Sequence, residues 1–225
     1  VIRAKRAGSF GDLMGPNIVT NFGTITTTAG GSLFFLADYV HAVGGSFSGP
    51  GAIQFFNNTV DLDVDLVLPG PTSVIAATVN AGVGGTGRLV VPVGVTLTSE
   101  AATFDAGVDV RGTFLVEALA NDQRQTTLNG TLTTSATSDI QIIARANADV
   151  VLQITSGFTN LGLIELVSNV DNPLVGFATL EVVSGTLQNA ADGVIQFTDT
   201  HPELLRLTLQ AELVNQGAVN GVAQF

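Results

Sequence analysis

Short phrases recur along this chain, and recurrence constrains a fold more strongly than any single residue does. Residues 19–25 and 158–164 share the order apolar-Thr-Asn-x-Gly-x-Ile. A second phrase, Gly-x-apolar-Gln-Phe, occupies residues 51–55, 193–197 and 221–225. Self-similarity of this kind is typical of repeat proteins, in which successive units stack to bury one continuous core.

The glycines that open these and similar segments give the spacing of the repeat. Their intervals range from 18 to 36 residues and average about 28. We therefore expect a solenoid of about 7–8 irregular coils, with loops of variable length between strands. The glycines are Gly23, Gly51, Gly87, Gly112, Gly130, Gly162, Gly193 and Gly221.

Within the expected coils, apolar and polar side chains alternate, which is the pattern of a strand with one buried face. Residues 152–160, 180–189 and 207–215 follow the same order of strand, bend, short strand and Asn. The sequence therefore predicts an all-β fold, a single-chain parallel β-helix or β-solenoid. A β-sandwich is the alternative, since short strands with Gly turns suit it too. Residues 1–14 are expected to form an N-terminal arm or cap, and residues 15–225 one solenoid domain.

The net charge and the cysteine content limit which binding partners are expected. The chain has 19 acidic and 8 basic side chains, a formal net charge of -11, and no cysteine. A polyanion such as DNA would be repelled, so no nucleic-acid partner is expected. No apolar run reaches the length of about 18 residues that a membrane span needs. We interpret the start at Val1 as that of a processed or excised product, and the absence of Cys as fitting an exported chain.

The Thr-Asn-x-Gly-x-Ile phrases, together with Gly-Thr-Leu-Gln-Asn at 185–189 and Asn-Gly-Thr-Leu at 129–132, carry a resemblance to a known class. They resemble the parallel β-solenoid repeats of exported bacterial surface proteins, the filamentous-haemagglutinin-type adhesins and the passenger regions of autotransporters. The resemblance extends loosely over residues 15–225. It implies a long, mostly non-enzymatic rod that presents loops or end domains to surfaces, in an extracellular or cell-surface location.

Three functions fit these observations. The first is a non-catalytic structural or adhesive protein of the cell surface or of an extracellular filament, which self-associates through solenoid ends or exposed apolar faces. The second is a carbohydrate-binding or polysaccharide-cleaving β-helix protein, with surface glycans as partners. The third is a segment of a trimeric phage-type fibre. No catalytic residues are predicted, and no cofactor apart from a candidate calcium ion.

The calcium candidate is the one compact acidic cluster, formed by Asp61, Asp63 and Asp65. On a strand, residues at i, i+2 and i+4 share a face, with neighbouring side chains roughly 7 Å apart. Three carboxylates that converge under a folded loop would suit Ca²⁺. The alternative is a solvated strand face with the intervening apolar residues turned inward.

Two aromatic pairs break the alternation of the strands. In Phe34-Phe35 and in Phe55-Phe56, one ring must point outward if the other points inward. We expect the outward rings to lie under a loop or to mark a contact between subunits. Phe225 is a further interface candidate, because it closes the third copy of the Gly-x-apolar-Gln-Phe phrase.

Threonine is abundant in runs such as 24–28 and 132–134. A regular threonine array on a solenoid can order water. The motif Thr-x-Thr does not recur at matching places, however, and Thr is a favourable residue on exposed strands. We therefore interpret these residues as ordinary strand positions.

Overall fold

The computed structural model describes residues 2–4, 18–118, 124–145, 148–168, 176–199 and 206–221. Within those ranges the regular structure consists of β-strands, and no helix there is long and apolar enough to cross a membrane. The strands are β1 (Ile2–Ala4), β2 (Ile18–Asn21), β3 (Thr24–Thr27), β4 (Ser32–Phe35), β5 (Asp38–His41), β6 (Ser46–Ser48), β7 (Ala52–Phe56), β8 (Thr59–Leu62), β9 (Leu66–Val67), β10 (Thr72–Ile75), β11 (Thr78–Asn80), β12 (Arg88–Val91), β13 (Thr96–Glu100), β14 (Thr103–Phe104), β15 (Gly107–Val110), β16 (Thr113–Glu117), β17 (Arg124–Leu128), β18 (Leu132–Thr134), β19 (Asp139–Ala144), β20 (Val150–Ile154), β21 (Phe158–Asn160), β22 (Leu163–Ser168), β23 (Ala178–Asn189), β24 (Val194–Asp199), β25 (Leu207–Asn215) and β26 (Ala218–Asn220).

The strands form three long faces. The first face is a nine-stranded sheet in the order β26-β24-β22-β19-β16-β13-β10-β7-β4. The second face runs β2-β5-β8-β11-β14-β17-β20-β23, with β25 paired to β23. The third face contains β1-β3-β6 and β9-β12-β15-β18, which contact each other through β6 and β9 and reach β21 through β18. Strands β23 and β25 are long enough to turn a corner, so their second halves continue the third face.

Each coil places one strand on each face in turn. The coil of β7, β8 and β9 is followed by that of β10, β11 and β12, and strands β4 to β25 make eight such coils in the described part of the chain. All strand pairs there are parallel, apart from one isolated antiparallel bridge between Arg145 and Ala148. The predicted all-β parallel β-helix is confirmed, and the β-sandwich alternative is wrong because its strands would pair antiparallel.

The recurring phrases have two different structural meanings. Both described copies of Gly-x-apolar-Gln-Phe lie on the first face, in β7 and β24, with Ile and the last Phe buried and Gln turned outward. The Thr-Asn-x-Gly phrase is instead a corner. At Asn21 it joins the second face to the third, whereas at Asn160 it joins the third face to the first. In both corners the Asn side chain accepts a hydrogen bond from the backbone N–H of the following glycine.

The anchor glycines therefore do not mark one position per coil, and their average spacing overstates the repeat. In-register partners on the first face lie between 17 residues apart (Leu97 and Phe114) and 31 residues apart (Ile164 and Ile195). The uneven coil length itself was predicted. Its cause is that loops of different size are inserted at the corners while the strands keep their register.

Inward side chains stack coil upon coil to form the core. On the first face, Leu97, Phe114 and Ile140 are register partners and all three are fully buried. In the first coils the core is aromatic, and the rings of Phe35 and Phe55 stack with centroids 5.0 Å apart. Burial of apolar side chains contributes about 1.5–3 kcal/mol each, so no single coil is stable without its neighbours.

Three corners between the first and second faces share one backbone geometry. Asn57, Ala76 and Ala101 have positive φ angles of 51°, 49° and 50°. This left-handed conformation costs about 1–2 kcal/mol for each L-residue that adopts it. The same turn at three successive corners starts the following strands β8, β11 and β14 at equivalent positions on the second face.

One strand lies in the segment for which we expect an N-terminal arm or cap. Strand β1 lies within residues 1–14 and pairs in parallel with β3, with Ile2 opposite Ile25. Residues 5–17 lie outside the described ranges.

Candidate functional site

The acidic segment 61–65 does not lie on one strand. Strand β8 ends at Leu62, so only Asp61 occupies a strand position, while Asp63 and Asp65 follow in the bend before β9. The prediction that the three carboxylates share one strand face is therefore wrong. The reason is that Leu62 and Leu66 are both fully buried on different faces, which requires the chain to turn between them.

Each of these carboxylates has its own partner. Asp61 accepts a hydrogen bond of 2.9 Å from the side-chain amide of Asn80, and Asp63 accepts one of 3.1 Å from the backbone N–H of Val83. Asp65 forms an exposed ion pair with Arg88 at 3.0 Å. The hydrogen bond from Arg88 lowers the pKa of Asp65 below its ordinary value.

The arrangement of these side chains bears on the calcium candidate. In the described part of the chain, no group of three or more His, Cys, Asp or Glu side chains is placed to hold one metal ion. Calcium binding by Asp61, Asp63 and Asp65 stays a prediction.

An open groove of about 330 Å³ lies along this segment on the second face. Its floor is formed by outward side chains of three neighbouring strands, and one wall by the turn after β11. The lining residues are Val40, Asp61, Asp63, Asn80, Ala81, Gly82 and Val83.

The groove is one end of a regular array that we call the Thr/Asx array. Its first column consists of threonines from four successive coils in strict register: Thr59, Thr78, Thr103 and Thr127. The second column lies two residues further along the same strands or just beyond their ends: Asp61, Asn80, Asp105 and Asn129. Between the two columns, the intervening Val60, Val79, Phe104 and Leu128 are buried in the core.

Hydrogen bonds within the array hold its second column in place. Asn80 donates to Asp61 at 2.9 Å, and Asn129 donates to Asp105 at 2.7 Å. In the first column, Gln125 donates to the hydroxyl of Thr127 at 3.1 Å. All four threonines are partly exposed, and Asp105 and Asn129 are exposed. The array therefore presents hydroxyls, carboxylates and amides to solvent in fixed positions.

The sequence carries a signal for this array that a search for Thr-x-Thr does not detect. The pattern is Thr, a buried apolar residue and then Asp or Asn, four times in succession. Its intervals of 19, 25 and 24 residues, from Thr59 through Thr78 and Thr103 to Thr127, become equivalent only once the strand register is known.

A buried polar chain lies inside the first coils. Asn21 donates to the phenol oxygen of Tyr39 at 3.1 Å, and that oxygen lies 3.0 Å from Nδ1 of His41. Burial raises the pKa of Tyr39 above its ordinary value. Burial also lowers the pKa of His41 below 6.5, an effect that the negative charge of Asp63 partly opposes. Burial among aromatic rings therefore favours the neutral form of the imidazole.

We expect His41 to make the stability of the protein depend on pH. Its folded-state pKa lies below 6.5, so the unfolded chain binds more protons in the interval between the two values. The stabilisation is complete above pH 6.5 and decreases as the pH falls through this interval. His41→Gln should reduce the slope of unfolding free energy against pH below pH 6.5, measured by urea titration. An unchanged slope in the variant would show that His41 is not the titrating group.

An asparagine ladder closes the corner between the third and first faces in the last coils. The side-chain amide of Asn160 donates to Oδ1 of Asn189, and that of Asn189 donates to Oδ1 of Asn215, each at 2.8 Å. Asn160 and Asn189 are completely buried, whereas Asn215 is exposed. A side chain at Gly193 would meet the carbonyl oxygen of Asn160 at 2.6 Å, so a glycine is needed beside the ladder.

The aromatic pairs are divided as the alternation requires. Phe35 and Phe55 are buried in the core, Phe34 is half-buried on the outer side of the first face, and Phe56 is 42% exposed at the corner. Phe225 lies outside the described residues. A contact between subunits at these rings stays a prediction.

Comparison of this chain with protein-family models, with curated protein sequences and with solved structures finds no match.

Proposed function

We propose that this chain is a non-catalytic structural element of a cell surface or extracellular filament, and that copies associate end to end through their solenoid ends. The observation that carries the proposal is the asparagine ladder, whose last member within the described residues is Asn215. Within the described residues, Asn215 accepts from Asn189, but its own amide has no acceptor. One more coil placed on top would continue the ladder by the same 2.8 Å hydrogen bond that joins the coils below.

The core of the last described coil supports the same proposal. Leu213 is the register partner of Leu187, and Val219 that of Ile195. Leu187 and Ile195, in the preceding coil, are completely buried, whereas Leu213 and Val219 are only partly buried. A further coil would cover these positions, as the coils above Leu187 and Ile195 cover those residues.

The backbone of this coil offers a strand edge. Among the described residues, β26 pairs only with β24, and β25 pairs only with β23. An unpaired parallel edge is a template for another strand, and the side chains of β25 include no Lys or Arg that would discourage pairing. A second copy stacked head to tail would form a heterologous contact, and such contacts generate filaments rather than closed dimers.

The repeats support the location. Their resemblance to exported adhesins and autotransporter passenger regions favours a surface or extracellular rod. The parallel β-helix is the architecture that such rods share.

Sedimentation analysis at several protein concentrations tests the proposal. We expect the weight-average mass of the natural chain to rise with concentration. Leu213→Lys should raise the apparent Kd for association at least about tenfold, because a desolvated ammonium would lie at the contact. Val214→Lys is the matched control: it lies next in the same strand but points to solvent, and it should associate like the natural chain.

A monomer at all concentrations would contradict the proposal. Equal effects of the two lysine variants would contradict it as well, since the contact would then not involve the inward side of β25. A concentration-independent trimer would favour the trimeric fibre instead.

A further inference from the structure

The Thr/Asx array lies along the side of the rod, away from its ends, and end-to-end association leaves it unused. Translational repetition distinguishes it from an ordinary pocket. A small ligand is bound by groups that converge in a concavity. Here the same pair of groups is instead repeated along the axis, coil after coil, and such a surface matches a ligand that repeats along its own length.

We propose that the Thr/Asx array binds an extended neutral polysaccharide chain that lies parallel to the solenoid axis. The columns advance by the strand spacing of about 4.8 Å per coil, and the two columns lie roughly 7 Å apart. A sugar chain in an extended conformation presents hydroxyl groups at a repeat of comparable length. Successive sugars would therefore meet successive coils in similar surroundings.

The side chains of the array suit hydroxyl groups. The carboxylates of Asp61 and Asp105 accept hydrogen bonds, which are strengthened by their charge. The hydroxyls of Thr78 and Thr103 both donate and accept, and no side-chain hydrogen bond occupies them within the described residues. Hydrogen bonds donated by Asn80 and Asn129 already fix the two carboxylates, so binding costs little side-chain entropy.

Charge selects a neutral ligand. Two of the four positions in the second column are carboxylates, and the whole chain carries a net charge of -11. An acidic polysaccharide would be repelled by this face, whereas hydroxyl groups would not.

The groove offers a first contact site for the polysaccharide chain. It lies where Asp61 and Asn80 form the floor and the turn at 81–83 forms a wall. The wall also argues against ice as the ligand, because a protruding turn with Val83 95% exposed prevents a flat ice surface from resting on this end of the array.

Native affinity electrophoresis tests the proposal, with galactomannan, mixed-linkage β-glucan and dextran in the gel as neutral probes and polygalacturonate as the acidic probe. We expect at least one neutral polysaccharide to retard the natural chain, and polygalacturonate not to. The double variant Thr78→Val with Thr103→Val should weaken retardation about tenfold, since it removes two hydroxyls that would each form a hydrogen bond with the sugar chain. Valine keeps the branched shape that the strand accommodates.

The matched control is Thr98→Val with Thr113→Val, two outward threonines of the first face. It should bind like the natural chain. Retardation by none of the neutral probes overturns the proposal, and so does an equal loss in the control. A preference for polygalacturonate, or partition into growing ice without glycan binding, overturns it too.

The result of the electrophoresis does not depend on end-to-end association of the protein. The Thr→Val variants leave the last coil unchanged, so their sedimentation should match that of the natural chain. Loss of glycan binding with intact association, or the reverse, separates the two proposals.

Discussion

Phe114→Ala is expected to lower the free energy of unfolding by about 3–5 kcal/mol, the range for deletion of a buried aromatic ring. Phe114 is completely buried in the middle of the rod, and its ring meets that of Phe104 edge to face at 5.8 Å. It also lies between Leu97 and Ile140, its register partners in the coils on either side. The cavity would therefore weaken two interfaces between coils at once.

Chemical denaturation followed by circular dichroism measures this effect. Leu115→Ala is the control, because Leu115 is the next residue in β16 and faces outward. It should cost less than about 1 kcal/mol. A loss in Phe114→Ala no larger than that of the control would contradict the stacking of coils described here.

Asn189→Leu is expected to cost about 2–4 kcal/mol, although leucine has nearly the same size. The completely buried amide of Asn189 donates to Asn215 and to the carbonyl oxygen of Ala218, and it accepts from Asn160. Leucine removes these three hydrogen bonds, each worth about 0.5–1.5 kcal/mol, and takes one acceptor from the buried amide of Asn160. The last coil should open first, since Asn215 and Ala218 both belong to it.

Hydrogen exchange locates this loss along the chain. Amides of β25 and β26 should exchange much faster in Asn189→Leu, while those of β10 and β13 should not change. Gln188→Leu, at the exposed neighbouring position, should leave both regions unaffected. Uniform acceleration along the whole rod would show that the ladder does not act locally.

The alternation of apolar and polar residues predicted several strands correctly. Residues 152–154, 180–182 and 207–209 were predicted to be equivalent strand positions on successive coils. The first two segments do pair in register on the second face. Residues 207–209 lie on the same face but pair with 178–180, two residues earlier than predicted. This worked because a period of two fixes which side chains point inward, independently of what lies between the strands.

The sequence could not place the corners. Asn followed by x-Gly makes a turn by local hydrogen bonding, and that turn fits any corner where the chain must bend. Asn21 and Asn160 therefore share a phrase but join different pairs of faces. The same limit affected Asp63 and Asp65, because nothing local indicates that β8 ends at Leu62.

The Thr/Asx array could not be predicted from the sequence, for a related reason. Thr59, Thr78 and Thr103 are separated by unequal numbers of residues, and unequal spacing conceals a column from any search at a fixed period. Strand register supplies the missing information. Register depends on contacts between coils, which a single sequence does not list.

Cryo-electron microscopy of the natural chain over a range of concentrations tests the central claim most directly. Eight coils at about 4.8 Å each give a rod about 40 Å long. End-to-end stacking predicts particles of constant width whose lengths are multiples of that unit and grow with concentration. Particles of a single length at every concentration, or particles that widen instead of lengthening, would contradict it.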